Sequence, residues 1–122
     1  MSWKFKSGIP IYSQIMDVIK IRILNNTYAP GDKLPGVREL AVEAGVNPNT
    51  MQRALSLLEG EGLVRSERTS GRYITDDQDL INVLRHEKSR IITRQFCEEM
   101  AAIGLNQDDI IALIKHYGGT QS

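Results

Sequence analysis

The chain reads as a mainly α protein with a small β-wing: a winged helix-turn-helix over residues 1–75, followed by a C-terminal two-helix dimerisation tail over 76–122. Three observations carry this reading. Between Leu34 and Ile74, two short helical patterns, a tight turn and a β-ribbon follow one another. The two helical patterns are separated only by Gly45-Val46-Asn47, which forces a sharp angle between them. Beyond Asp76-Asp77-Gln78-Asp79, apolar residues return at helical spacing with no further strand pattern.

Pro10 suits the first position of a helix, where its missing N–H has no partner to lose, and a helix from Pro10 to about Leu24 is predicted. Tyr12, Ile15, Met16, Ile19 and Ile23 recur on one stripe, and Ile11, Val18, Ile21 and Leu24 widen it, so cover on more than one side is expected. The helix breaks at Asn25-Asn26-Thr27-Tyr28-Ala29-Pro30-Gly31-Asp32, with Asn26 as a left-handed cap and Pro-Gly as a turn. The second helix spans Val37 to Ala44, with Val37, Leu40, Ala41 and Ala44 inward and Gly45 as its stop. Asn47 then caps a third helix with Pro48 in its first turn. Met51, Ala54, Leu55 and Leu58 take one face of that helix, and Asn49, Gln52, Arg53 and Ser56 the other.

After Gly60 and Gly62, the runs Leu63 to Glu67 and Arg72 to Thr75 are β-prone around Arg68-Thr69-Ser70-Gly71 and form the wing. A long helix from about Asp77 to Ile103 is expected to stop at Gly104. A last helix begins with Asn106 as N-cap and Asp108 and Asp109 in its first turn, where acidic groups complement the positive helix end.

Composition narrows the class. Of 122 residues, 41% are hydrophobic and 25% charged, as in ordinary globular proteins. The single cysteine, Cys97, excludes an internal disulfide framework and fits a reducing compartment. No apolar run approaches the roughly twenty residues that span a bilayer, and Met1-Ser2-Trp3-Lys4-Phe5-Lys6 lacks a signal peptide's apolar core, so a cytoplasmic location without a membrane partner is expected. The net charge is zero, yet residues 1–75 carry ten Lys/Arg against seven Asp/Glu, and residues 76–122 five against eight. A polyanion would therefore be met by the first part.

Reading duplex DNA requires a helix that enters the major groove with hydrogen-bonding side chains near its N-terminus. The third helix supplies these. Gln52 can pair bidentately with adenine and Arg53 with guanine O6/N7, while Asn49 and Thr50 reach a base edge or a phosphate. Free backbone N–H groups of its first turn would also favour a phosphate. A solvated polar face is the plainer account of the same residues, and a protein-docking winged helix is the rival function. Docking would call for an exposed apolar patch on this helix instead.

Leu34-Pro35-Gly36-Val37-Arg38-Glu39-Leu40-Ala41, Val46-Asn47-Pro48-Asn49-Thr50, Arg53-Ala54-Leu55 and Leu58-Glu59-Gly60-Glu61-Gly62-Leu63-Val64 resemble the GntR family of bacterial transcription regulators. Pro10-Ile11-Tyr12-Ser13-Gln14-Ile15 and Pro30-Gly31-Asp32-Lys33-Leu34-Pro35 extend the resemblance over residues 9–74. By that resemblance Arg38, Asn49, Thr50, Gln52, Arg53 and Gly71 contact DNA. Two departures alter the expected contacts. Gly36 stands where the family has serine, which removes a hydroxyl able to meet a phosphate, although Glu39 retains half of a capping box. Thr69-Ser70-Gly71 keeps one of the two usual wing glycines, so Arg68 and Arg72 become the expected phosphate contacts.

The short tail resembles the YtrA-type branch, which implies a dimeric repressor of an adjacent transporter-type operon. Leu80, Leu84, Ile91, Ile92, Phe96, Met100 and Ile103, with Ile110, Ile111, Leu113 and Ile114, provide apolar surface either for folding back on the chain or for pairing with a second copy. A homodimer is expected because two helices have little core of their own, and double-stranded operator DNA with an inverted repeat is its expected partner. A small-molecule effector between the tail and the reading head would be compatible with this layout, but no constellation of residues marks its site. Cys97 reads as a packed thiol rather than a redox sensor, Glu98-Glu99 as a wet helix face, and His86 and His116 as solvated. No metal or cofactor motif, nucleophile elbow, phosphate loop or paired-carboxylate site is recognisable, and no enzymatic activity is expected.

Overall fold

A computed structural model describes residues 3–118; Met1 and Ser2, part of the start read above for a leader, lie outside them. Five helices and one two-stranded sheet follow in the order α1 (Ile11–Leu24), α2 (Val37–Ala44), α3 (Pro48–Gly60), β1 (Val64–Glu67), β2 (Gly71–Ile74), α4 (Gln78–Ala102) and α5 (Gln107–Gly118). The chain divides within α4 into two compact units, Met1–Val83 and Leu84–Ser122.

In the first unit α3 packs against α1, α2 and β1. Its core joins Ile15, Ile19 and Ile23 of α1, Leu40 and Ala44 of α2, and Met51, Ala54, Leu55 and Leu58 of α3, all essentially inaccessible. Helical periodicity therefore names the inward faces of α2 and α3, except that Val37 at the start of α2 is only half-buried. It overstates α1: Ile11 and Ile21 are exposed, because one stripe is enough to meet α3. Pro10 also sits one position earlier than expected, as an extended N-cap with ψ 136° rather than as the first helical residue. Asn26 takes the left-handed conformation, φ 64°, that lets the backbone turn away after α1.

The tight turn is made by Gly45, whose φ of 75° ends α2, and by Asn47, whose side chain caps α3 by accepting from the Asn49 N–H at 2.7 Å. The wing strands pair antiparallel with Val64 opposite Ile74 and Glu67 opposite Gly71. A third stretch lies along β2: the Leu34 N–H donates to the Arg72 carbonyl and the Ile74 N–H to the Asp32 carbonyl, both at 2.8 Å. The loop before α2 is thus tied to the wing. Ile81 closes the first unit from the start of α4, and Leu80 lies where a side chain on Gly62 would touch it.

The second unit contains the rest of α4 and α5. Asn106 and Asp109 exchange backbone-to-side-chain hydrogen bonds of 2.9 and 3.0 Å, a reciprocal cap that starts α5. Leu84 and Ile110 are buried. Both stand among the expected dimer contacts, and in the single chain their apolar side chains are already covered. Ile91, Ile92, Phe96, Ile103, Ile111 and Ile114 remain exposed, while Met100 and Leu113 are half-covered. Cys97 is exposed too, which corrects its reading as a packed thiol. No helix among the described residues is long and apolar enough to cross a membrane.

Candidate nucleic-acid interface

The buried and exposed faces of α3 are cleanly divided. Met51, Ala54, Leu55 and Leu58 face the core, which leaves Asn49, Gln52, Arg53 and Ser56 exposed at the complementary positions. Thr50 is half-buried at the edge of that face. Gln52 Nε2 makes only a long contact, 3.4 Å, with Ser56 Oγ, so its amide is lightly held. Arg53 is held differently: its Cζ lies 3.9 Å from the centre of the Tyr12 ring on α1.

The first turn of α3 departs from expectation. Pro48 has no N–H, the Asn49 N–H is taken by the Asn47 side chain, and the Thr50 and Met51 N–H groups donate to the Asn47 carbonyl at 3.0 and 3.1 Å. These amides are satisfied internally, so the expected free donors for a phosphate are absent there.

Arg38 is exposed on α2, and Arg68 and Gly71 are exposed at the wing tip. Gly71 has φ 118°, a left-handed conformation that only glycine adopts readily, and a Cβ there would come within 3.3 Å of the Lys33 side chain. Wing tip and α2 entry together border a cleft of about 620 Å³ lined by Lys33, Gly36, Glu39, Ser70, Gly71 and Arg72, among others. Gly36 caps α2 without a side-chain hydrogen bond, as the missing hydroxyl requires.

Arg72 is not a free cation. Its Nε donates to Glu59 Oε1 at 2.6 Å, and Ser66 donates to the same oxygen, so the end of α3 grips both wing strands. Those two bonds, the one from Ser66 foremost, hold the Glu59 carboxyl below its ordinary pKa. Arg65 pairs with Glu67 at 3.4 Å and lies 5.2 Å over the Tyr73 ring. Three residues that organise this surface, Tyr12, Lys33 and Glu59, were not singled out from the sequence. Each acts on a partner supplied by another element, a relation that periodicity does not encode.

The comparisons with known proteins agree with this geometry. Residues 11–74 match the family described as "Bacterial regulatory proteins, gntR family". The chain is 37% identical over 117 residues to the uncharacterized HTH-type transcriptional regulator YhcF of Bacillus subtilis, covering 96% of this chain and 97% of that one. It is 44% identical over 72 residues to the HTH-type transcriptional repressor YtrA of the same organism, covering 59% of this chain and 55% of YtrA. A GntR family transcriptional regulator from Listeria monocytogenes superposes with a TM-score of 0.83 at 40% identity, over 92% of this chain and 98% of that one. The AraR DNA-binding domain, solved in complex with operator ORX1, matches 59% of this chain and 93% of its own at a TM-score of 0.55 and 26% identity. With a winged helix-turn-helix, an exposed polar face on α3 and a family match over residues 11–74, this chain belongs to the GntR family of bacterial regulatory proteins, transcription regulators rather than enzymes.

Proposed function

We propose that the protein is a dimeric repressor that reads an inverted-repeat operator, one α3 per half-site. The observation that carries this reading is the exposed row Asn49, Gln52 and Arg53 opposite the buried face of α3. Arg53 and Gln52 read base edges, Asn49, Thr50 and Arg38 flank them, and Arg68 with the wing tip at Gly71 meets the backbone. Arg72 contributes by holding the wing through Glu59 rather than as a free phosphate contact. The repressor assignment draws on the name of YtrA, and operator binding on the AraR complex. Control of a neighbouring transporter operon follows from the YtrA-type resemblance alone. The reading head is residues 1–75, the tail from residue 76 supplies the dimer contact, and the working compartment is the cytoplasm, where the operator lies. A small-molecule effector is compatible with the layout and has no assigned residues.

Salt-titrated binding of the full chain to its upstream promoter and to scrambled duplex tests the reading. A specific regulator binds the promoter on the order of a thousandfold or more tightly than the scrambled sequence. Arg53→Ala should weaken promoter binding by about 1 to 3 kcal/mol and level the preference at one base pair per half-site. Equal affinity for all duplexes would overturn it.

A further inference from the structure

The proposed base reading by Arg53 leaves open what aims a long, flexible side chain at one base pair. An arginine side chain loses much rotamer freedom when it is ordered, and its N–H donors serve a guanine only when the guanidinium plane is correctly set. Among the described residues of the first unit four arginines are held by rings or carboxylates, and of these Arg53 alone is held by a ring without a carboxylate. Arg22, Arg65 and Arg72 present N–H edges to Glu43, Glu67 and Glu59. Arg53 has no carboxylate partner among the described residues, and its Cζ lies 3.9 Å from the Tyr12 ring centre. That is shorter than the 4.8, 5.6 and 5.2 Å of the other ring contacts made by Arg22 and Arg65.

The distinction matters because stacking uses the π face whereas bidentate pairing uses the in-plane N–H groups. A guanidinium on a ring can keep all its edge donors available; one on a carboxylate gives up those it engages. Tyr12 is half-buried near the start of α1, and α1 packs on α3. We infer that Tyr12 is a positioning residue for operator recognition: its ring presets the Arg53 plane so that the N–H edge meets a base without first being ordered. This rests on the assignment of Arg53 as a base reader.

The test uses the full chain and an operator selected by it from a randomised duplex library. Affinities are measured for that operator and for its single-base-pair variants with wild type, Arg53→Ala, Tyr12→Leu, Tyr12→Phe and the Tyr12→Leu/Arg53→Ala double variant. Tyr12→Leu should lower operator affinity about two- to five-fold, the range for an exposed cation–π contact, and flatten preference at the same base pair as Arg53→Ala. Tyr12→Phe should retain that preference, and Tyr12→Leu should add nothing to Arg53→Ala. If Arg53→Ala flattens one base pair and Tyr12→Leu leaves it intact, or weakens all duplexes equally, the positioning role is overturned while base reading by Arg53 stands. If Arg53→Ala changes no base preference, base reading fails and the positioning role with it. A readout independent of any Tyr12 variant is the Arg53 Nε–H resonance of the free wild-type protein: a ring-current shift supports the stack, and a random-coil position overturns it.

Discussion

Glu43 is where a single oxygen holds two elements together. Its Oε2 accepts from Trp3 Nε1 at 2.8 Å and from Arg22 at 2.7 Å, while the Arg22 guanidinium also lies against the Trp3 and Tyr28 rings. The hydrogen bond from Arg22, then that from Trp3, depresses the Glu43 pKa against the opposing effect of burial. A carboxyl whose folded pKa lies below its unfolded value contributes stability above the unfolded value and loses it as pH falls through the folded one. Acidification below the ordinary glutamate range should therefore loosen this junction, and Glu43→Gln should remove that part of the pH dependence. With 41% of the Glu43 side chain exposed, solvent screening keeps the effect modest. Trp3 is the only tryptophan, so its emission reports the junction directly. An identical acid profile in the variant would assign the loss to other carboxylates, Glu59 first.

At the scale of elements, α3 depends on its start. The Asn47 side chain satisfies the Asn49 N–H, and Pro48 presents no donor at all, so one side chain completes a turn that has no free amides left. Asn47→Ala should cost about 0.5 to 2 kcal/mol in denaturant unfolding with an unchanged slope. An unmoved midpoint would show that water replaces the cap at no cost. At the other end of α3, Glu59 ties the helix to the wing through Ser66 and Arg72. The wing is therefore aimed by the same helix that exposes Asn49, Gln52 and Arg53.

For the whole molecule, the apolar surface of the tail is the main unexplained quantity. Phe96, Met100, Leu113, Ile114 and Tyr117 border an apolar groove of about 320 Å³, and Ile91, Ile92 and Ile103 are more than half exposed. Apolar side chains presented this way along two helices are expected at an interface between copies. Phe96→Glu or Ile92→Glu in the full chain should give a monomer in analytical ultracentrifugation. Operator binding should weaken with it, since two linked heads gain effective concentration that one head lacks. A variant that remains dimeric would move the interface away from this surface.

The helix limits, the Asn47 cap, the Gly45 turn and the wing were legible in the sequence because each depends on neighbours a few residues away. The inward faces of α2 and α3 were legible too, since a helix repeats its burial every three or four residues. Periodicity shows which face is apolar but not what covers it, and for that reason Leu84 and Ile110 read the same as Ile92 until the tertiary structure separated them. It likewise could not show that Arg72 is gripped by Glu59, that the first-turn amides of α3 are already taken, or that Tyr12 lies under Arg53. Local sequence determined that a DNA-reading head is present and which side chains its third helix exposes. Which of those side chains are held, and at which edge, was decided only when distant segments met, because stacking and ion pairing depend on spatial proximity rather than on sequence spacing.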